Sequence, residues 1–479
     1  MGVFSSNYST LLYFLFRRSI GSCRKIELRD GGINSSLNGQ GNNNNRKRND
    51  GPDRKETDLN VVLEWSELFT EIDQHAYGMW PNATARAIAY INLAAYEVAA
   101  TVSQSLTTES TRLEGLEIGA ETPNKVDLGE ALNACYATVL DHFMINVDGD
   151  VKAKIEELEN EISENLRRNK GNGNGNDNND ESAEWGTYIA EQVITYALTD
   201  TEAESQIPEP KPLSYEPRTG YGFWTYSADP ERALFPYWGS VRTFVISSEE
   251  TSSEPPIAYS TNPSSAYYQQ MEEVYNNNNT AKEAQGEDLW IAEFWSDDVE
   301  GLMVSPPGRQ VAITAQLLKN EKMSLESGLE LMLKLGYALN DAAASTWADK
   351  YEYMVMRPNV FIHEHIDPDF QANLFRLVYW PNPSFPGYPS GHSTFASAAG
   401  GVFIDTFGDI AFTDYTHEGR EEFLGEPRSF TSISAMAAEN AYSRIPLGVH
   451  IRMDCDEGLR LGYEISDAVN ELDLRNKAL

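Results

Sequence analysis

The chain is short of the features that mark several common protein classes. It has three cysteines, Cys23, Cys135 and Cys455, too few and too scattered for a disulfide framework or a thiolate metal site. All three read as ordinary thiols. No stretch approaches the roughly 18 uninterrupted apolar residues of a membrane-spanning helix, so no transmembrane span is expected. Positive charge is scarce, with 37 Lys and Arg against 73 Asp and Glu and a net charge of -36. A surface that negative disfavours nucleic acid and anionic membranes as partners. Few segments alternate with period two, which argues against a large sheet, and no internal repeat is visible.

What is present suits a globular helical protein. Hydrophobic residues make up 41% of 479 and aromatics 11%, ample for a sizeable core. The N-terminus stands apart. An apolar run from Leu11 to Phe16 is followed, not preceded, by Arg17 and Arg18, the reverse of a secretory signal. Met1-Gly2 with Ser6 fits the loose myristoylation pattern, and an unstructured leader is the plainer reading. That leaves the compartment, export or an organelle included, open. Residues 35–55 are Asn-, Gly- and charge-rich, too polar to bury anything. The expected division is therefore a disordered leader over 1–58 and one helical domain over 59–479, all-α in class.

Apolar periodicity and small-residue content predict helices over Val61–Phe69, Thr84–Ser103, 128–147, 150–167 and 183–198. Between the last two, a Gly/Asn-rich stretch reads as a surface loop. Residues 205–262, rich in Pro, Tyr and Trp, read as an irregular but ordered connection. Further helices are expected near 262–275, 287–297, 306–320, 324–356, 392–406, 430–444 and 455–470.

Three segments carry chemistry. In the first, Lys350 precedes Arg357-Pro358 by seven residues, nearly two helical turns, which predicts one face and about 10 Å of axial separation. Pro358 marks the helix end. In the second, Pro389-Ser390-Gly391-His392 precedes an Ala/Gly-rich helix. Gly391 allows close backbone approach, Ser390 supplies a hydroxyl, and the helix start offers N–H groups to an anion. His392 could move protons there. In the third, Ser443-Arg444 leads through Pro446 and Gly448 to His450 and Asp454. Asp454 is placed to orient the imidazole through its second nitrogen. Singly, each also has a plain structural reading: a solvated basic face, a capped Gly/Pro turn, an Arg–Asp pair beside a capping His.

Together the three resemble the signature shared by vanadium haloperoxidases and type-2 phosphatidic acid phosphatases: lysine, six residues, Arg-Pro; then Pro-Ser-Gly-His; then Ser-Arg, five residues, His, three residues, Asp. Every element matches in order and spacing. Phe235–Arg242, Phe294–Asp298 and Gly458–Tyr463 extend the likeness toward bacterial haloperoxidase-related proteins over most of residues 60–470. The resemblance implies one vanadate per chain, in an oxyanion site within 347–454. His450 would be the axial ligand of vanadium. Lys350, Arg357 and Arg444 would neutralise the other oxygens with help from the Ser390 hydroxyl and Gly391 N–H. His392 would be the acid–base, and Trp347 and Phe385 would line the halide side. Charge-assisted donors and guanidinium forks suit such an anion. The implied activity is oxidation of halide by hydrogen peroxide to a hypohalous acid equivalent, passed to a small organic acceptor. Lys350 would polarise the oxidant, and vanadium would act as a Lewis acid without changing redox state. A homo-oligomer is compatible with the resemblance.

Two alternatives use the same residues. A soluble acid phosphatase would work through a phosphohistidine, although such enzymes are generally much shorter. A non-catalytic helical scaffold would have no need of the intact set of charged and donor residues. Other motifs are weaker. His363-Glu364-His365 fits no common helical zinc pattern and reads as a polar loop. His75, His142 and His417 have no evident partners. Asn82-Ala-Thr84 and Asn278-Asn-Thr280 are glycosylation-like triplets, relevant only to an exported protein.

Overall fold

Short polar side chains start many of the helices. Asp127, Ser265, Ser305, Ser324, Ser390 and Ser432 each accept a backbone N–H from the first turn of the helix they precede, satisfying donors that a helix start leaves open. The structure, a computed structural model, describes residues 54–170, 176–226, 232–297, 299–376 and 382–476. The leader up to residue 53, with Cys23 and the acylation-like Met1-Gly2, lies outside the described residues. Cys135 and Cys455 are free and buried.

In the first half, α1 (Arg54–Gln74) begins ahead of the expected start at Leu59. It is followed by α2 (Trp80–Ala100), α3 (Leu128–Phe143), α4 (Gly149–Lys170), α5 (Asn176–Ala197) and the short α6 (Thr201–Gln206). Helix α3 packs chiefly on α5 and α2. The loop expected between α4 and α5 is largely helical at both ends, and residues 171–175 lie outside the described residues. The second half holds α7 (Ala266–Ala284), α8 (Glu287–Phe294), α9 (Pro306–Asn320), α10 (Leu325–Tyr353), α11 (Pro358–His365), α12 (Gly391–Phe407), α13 (Ile433–Leu447) and α14 (Arg452–Asn470). One hairpin, β1 (Phe412–Asp414) with β2 (Arg428–Phe430), pairs antiparallel with Phe412 opposite Phe430. The class is all-α, as expected. No described helix is long and apolar enough to cross a membrane.

Helix α10 is the central element. It crosses α2 in the first half and packs on α12 and α14 in the second, and its side chains from Leu331 to Trp347 are buried all round. A very close crossing joins α12 and α14. A Cβ at Gly462 would fall 2.1 Å from Ser397 Oγ, and one at Gly458 would fall 2.6 Å from the Ser390 carbonyl, so only glycine lets the two backbones come this close. That crossing presses the start of α12 against the start of α14.

The irregular connection 205–262 is tied along α10. Asp341 accepts from the N–H groups of Phe244, Val245 and Ile246 at 2.8–3.1 Å, and Asp349 accepts from Ser253 N at 2.7 Å. The Leu234 carbonyl accepts from both Trp347 Nε1, at 3.3 Å, and Tyr351 OH, at 2.6 Å. Buried backbone without a ladder thus finds its partners on one helix.

Candidate active site

The helix carrying Lys350 stops before Arg357. Met354 adopts the left-handed conformation (φ 52) and caps α10. The next residues run extended, with Val355 bridging Phe223. Arg357 is the extended N-cap of α11 (φ -73, ψ 146), and Pro358 opens that new helix. The expectation of one shared helical face is therefore corrected: the two cations meet through a chain reversal.

Both cations are fully buried, as is Arg444. Lys350 Nζ donates to the carbonyls of Pro386 (3.2 Å), Gly387 (3.1 Å) and Pro389, wrapping the segment before Ser390 around the ammonium. Arg357 donates to the Phe385 and Val449 carbonyls, both at 2.9 Å, and to His450 Nε2 at 3.1 Å. Arg444 donates to Ser443 Oγ at 3.0 Å and to the Trp295 carbonyl.

Those contacts fix the tautomer of His450. A guanidinium only donates, so Nε2 accepts and the proton sits on Nδ1. Nδ1 donates to Asp454 Oδ2 at 3.0 Å, and the same oxygen accepts the Ile451 N–H at 3.2 Å. The Ser390 N–H donates to the Asp454 carbonyl at 2.8 Å, joining the second and third segments. Burial first, then Arg357, Lys350 and Arg444, holds His450 well below the usual histidine range. Burial, followed by Arg444, Lys350 and Arg357, does the same to His392. Both imidazoles thus sit in the field of all three cations. Burial pushes Asp454 up to about 7.

His392, His450, Arg444, Gly391, Trp347 and Phe385 line one cavity with about 330 Å³ of empty volume, open solvent included, and its described lining carries no carboxylate. Trp347 and Phe385 stand with ring centroids 4.9 Å apart, with Lys350 Nζ 5.2 Å from the Phe385 ring centre. A Cβ built at Gly391 would sit 3.5 Å from the Trp347 ring, inside the space the two residues share. Ser390 caps α12 by accepting the Ser393 N–H at 3.4 Å, which leaves the first N–H groups of the helix for another acceptor. Three cations, two neutral imidazoles and a helix start around a carboxylate-free cavity fit an oxyanion, vanadate included.

The matched chemistry lies within 347–454, but the cavity wall also takes Pro81 and Pro306 from the starts of α2 and α9. Sequence reasoning missed these, and it missed a buried network beside the site. Arg309 donates to Asp414 Oδ2 (2.9 and 3.1 Å), to Asp297 (3.1 Å) and to the Phe294 carbonyl (3.2 Å), and contacts His417. His417, read as partnerless, is fully buried there and depressed to about 2, by burial and then by Arg309. The Phe294–Trp295 turn is held by Arg309 on one side and Arg444 on the other. The signal was the Phe294–Asp298 likeness, which named residues but no contact. His363, Glu364 and His365 form the last turn of α11, not a loop, with His365 Nε2 3.2 Å from Tyr259 OH. Among the described residues no group of three His, Cys, Asp or Glu could hold a metal ion. Asn82 and Asn278 are fully buried, out of reach of a glycosylating enzyme once the chain is folded.

Residues 330–475 match the family described as the VCPO second helical-bundle domain. Vanadium chloroperoxidase from Curvularia inaequalis is 27% identical over 213 residues, a match spanning 34% of this chain and about a third, 35%, of that protein. Over these residues the chain is similar to the vanadium haloperoxidases. Among solved structures of the family, a bacterial vanadium-dependent iodoperoxidase superposes with TM-score 0.77 at 24% identity, over 89% of this chain and 99% of that one. A bacterial vanadium-dependent chloroperoxidase in its apo form gives 0.61 at 14%, over 82% and 94%. These two likenesses extend the haloperoxidase fold across both halves of the chain.

Proposed function

We propose that the protein is a vanadate-dependent haloperoxidase, oxidising a halide with hydrogen peroxide to a hypohalous acid equivalent. The observation that carries the reading is a cavity without a carboxylate in its described lining, walled by Trp347, Phe385, His392, Arg444 and His450, with Lys350 behind the Phe385 ring and Arg357 donating to His450. Vanadate, when bound, would supply a Lewis acid for activating peroxide.

The chain's own residues do the rest. His450 keeps its proton on Nδ1, held by Asp454, so its Nε2, which here accepts from Arg357, carries the lone pair and is the atom we assign to vanadium. Arg357, Arg444, the Ser390 hydroxyl and the α12 N–H groups neutralise and orient the oxygens. Lys350 adds its charge while its carbonyl contacts hold the Pro386–Pro389 segment in place. His392 is neutral near pH 7 and can accept a proton from incoming peroxide. The same imidazole would then hand that proton on, so that the oxygen departs from the site as water. Trp347 and Phe385 exclude water beside the site, which suits a weakly hydrated halide, and a small organic acceptor takes the oxidised halogen.

The full chain, loaded with orthovanadate, should halogenate a phenolic dye with hydrogen peroxide and chloride, bromide or iodide. His450→Ala should abolish this. Hydrolysis of a chromogenic phosphate ester that vanadate inhibits, without halogenation, would replace the reading with the acid phosphatase. Neither activity would leave the non-catalytic scaffold.

A further inference from the structure

The turn that presents Arg444 and His450 is gripped from outside the signature. Helix α13 ends at Leu447, and Gly448 takes a left-handed φ of 93. The Arg444 and Ile445 carbonyls are closed by N–H groups of Gly448 and Val449 at 3.0–3.2 Å. The Pro446 carbonyl instead receives two side chains. Asn278 Nδ2, from α7, donates to it at 3.0 Å, and Asn373 Nδ2, from the segment after α11, donates at 2.8 Å. Asn373 also donates to the Asn278 carbonyl at 3.0 Å, tying the two together.

Both amides are fully buried, and both leave Oδ1 without a hydrogen bond among the described residues. Flipping either amide would set its oxygen against the Pro446 oxygen, so the donor assignment is forced. Two buried amides each forgo an acceptor contact to reach one carbonyl, four residues before His450. The turn has no room to drift: a Cβ at Gly448 would lie 2.8 Å from Asn278 Nδ2 and 3.0 Å from Ala372 Cβ.

We propose that Asn278 and Asn373 are positioning residues for the oxyanion site, setting through the Pro446 carbonyl the turn that carries Arg444 and His450. The inference rests on the reading that an oxyanion binds between those two side chains. Small displacements of such donors are expensive, since a 1 Å misplacement can cost on the order of 100-fold.

The test measures orthovanadate affinity of the full chain by equilibrium dialysis, with melting temperatures alongside. Asn278→Leu and Asn373→Leu remove the donors without changing bulk, and Asn373→Asp is a second variant should the leucine not fold. Each should weaken vanadate binding by about 10- to 100-fold. The double variant should fall well short of the product, because both act on one carbonyl. Asn133→Leu is the control: Asn133 holds Trp65 Nε1 and the Glu159 carbonyl within the first half. It should lower the melting temperature and leave vanadate affinity unchanged. Unchanged affinity in the Asn278 and Asn373 variants, or an equal loss in the control, would overturn the proposal. Because the readout is affinity, a wild-type chain that binds vanadate but does not halogenate defeats the haloperoxidase reading alone. A wild-type chain that does not bind vanadate defeats both.

Discussion

Asp454 offers the sharpest test of how the site is held. One oxygen, Oδ2, accepts from both His450 Nδ1 and the Ile451 N–H, while Oδ1 makes no hydrogen bond among the described residues. Asparagine with its carbonyl in the Oδ2 position keeps both contacts and loses only the charge, whereas alanine loses both. Two buried donors left open cost about 1–3 kcal/mol each, so Asp454→Ala should lose roughly 2–6 kcal/mol of stability. Its vanadate affinity should fall by about 10- to 100-fold, the usual effect of removing a carboxylate behind a metal-binding histidine. Asp454→Asn should stay within a few-fold of wild type.

The stability of the two variants should also differ with pH. Burial raises Asp454 from 3.8 to about 7. A raised carboxyl contributes stability that is fully present below its unfolded value and is lost as pH rises through the folded one. A difference of that size is worth about 4 kcal/mol, lost between about pH 4 and 7. Asparagine does not titrate, so its stability relative to wild type should rise from pH 5 to pH 8. Denaturant midpoints at those two pH values, with dialysis against vanadate, read both effects. Equal affinity loss in the two variants, or an asparagine advantage that does not grow with pH, would refute the argument.

Further outcomes follow from the same geometry. Gly391→Ala places a methyl in the shared cavity without a backbone clash. It should weaken vanadate binding by at least about 10-fold while stability, read by thermal melting, stays within about 1 kcal/mol of wild type. Burial raises Glu97, on α2, to about 8, and its Oε1 accepts the Glu109 N–H. Its contribution is present at low pH and lost as pH rises through 8, so melting temperature should fall between pH 7 and 9, and less steeply in Glu97→Gln. Arg309→Met leaves Asp297 and Asp414 buried without their guanidinium and should destabilise by about 3–5 kcal/mol, as urea unfolding would show. A loss below about 1 kcal/mol would mean that the network relaxes or takes up protons.

Much of this architecture was legible from the sequence because periodicity and composition act locally. The starts of α3, α9 and α10, like the span of α12, came within a residue of their expected positions, since caps such as Ser305 and Ser324 and runs of small residues are visible one turn at a time. Helix α11 was missed because eight residues carry too little periodicity, and the hairpin because its strands are three residues long. The charged groups of the site were readable as spacing. Their meeting was not derivable from a helical face, because a left-handed Met354 breaks the helix that spacing alone would continue. Six of the acceptors described for Lys350, Arg357 and Arg444 are backbone carbonyls, and any residue type supplies one. Pro81 and Pro306 reach the cavity, and Asn278 and Asn373 the turn behind it, from distant segments, with no local pattern to announce them.

That reliance on carbonyls bears on how such a protein can diverge. Lys350 is held by the main chain of Pro386, Gly387 and Pro389, Arg357 by that of Phe385 and Val449, and Arg444 by that of Trp295. A substitution next to the cations changes a side chain and leaves the oxygen where it was, provided the backbone path survives. The electrostatic heart of the protein is thus insulated from drift in its immediate neighbours and exposed to drift in whatever bends the chain. In a laboratory evolution experiment, the lining could be rewritten for new substrates while glycines such as Gly448, Gly458 and Gly462 stayed untouchable.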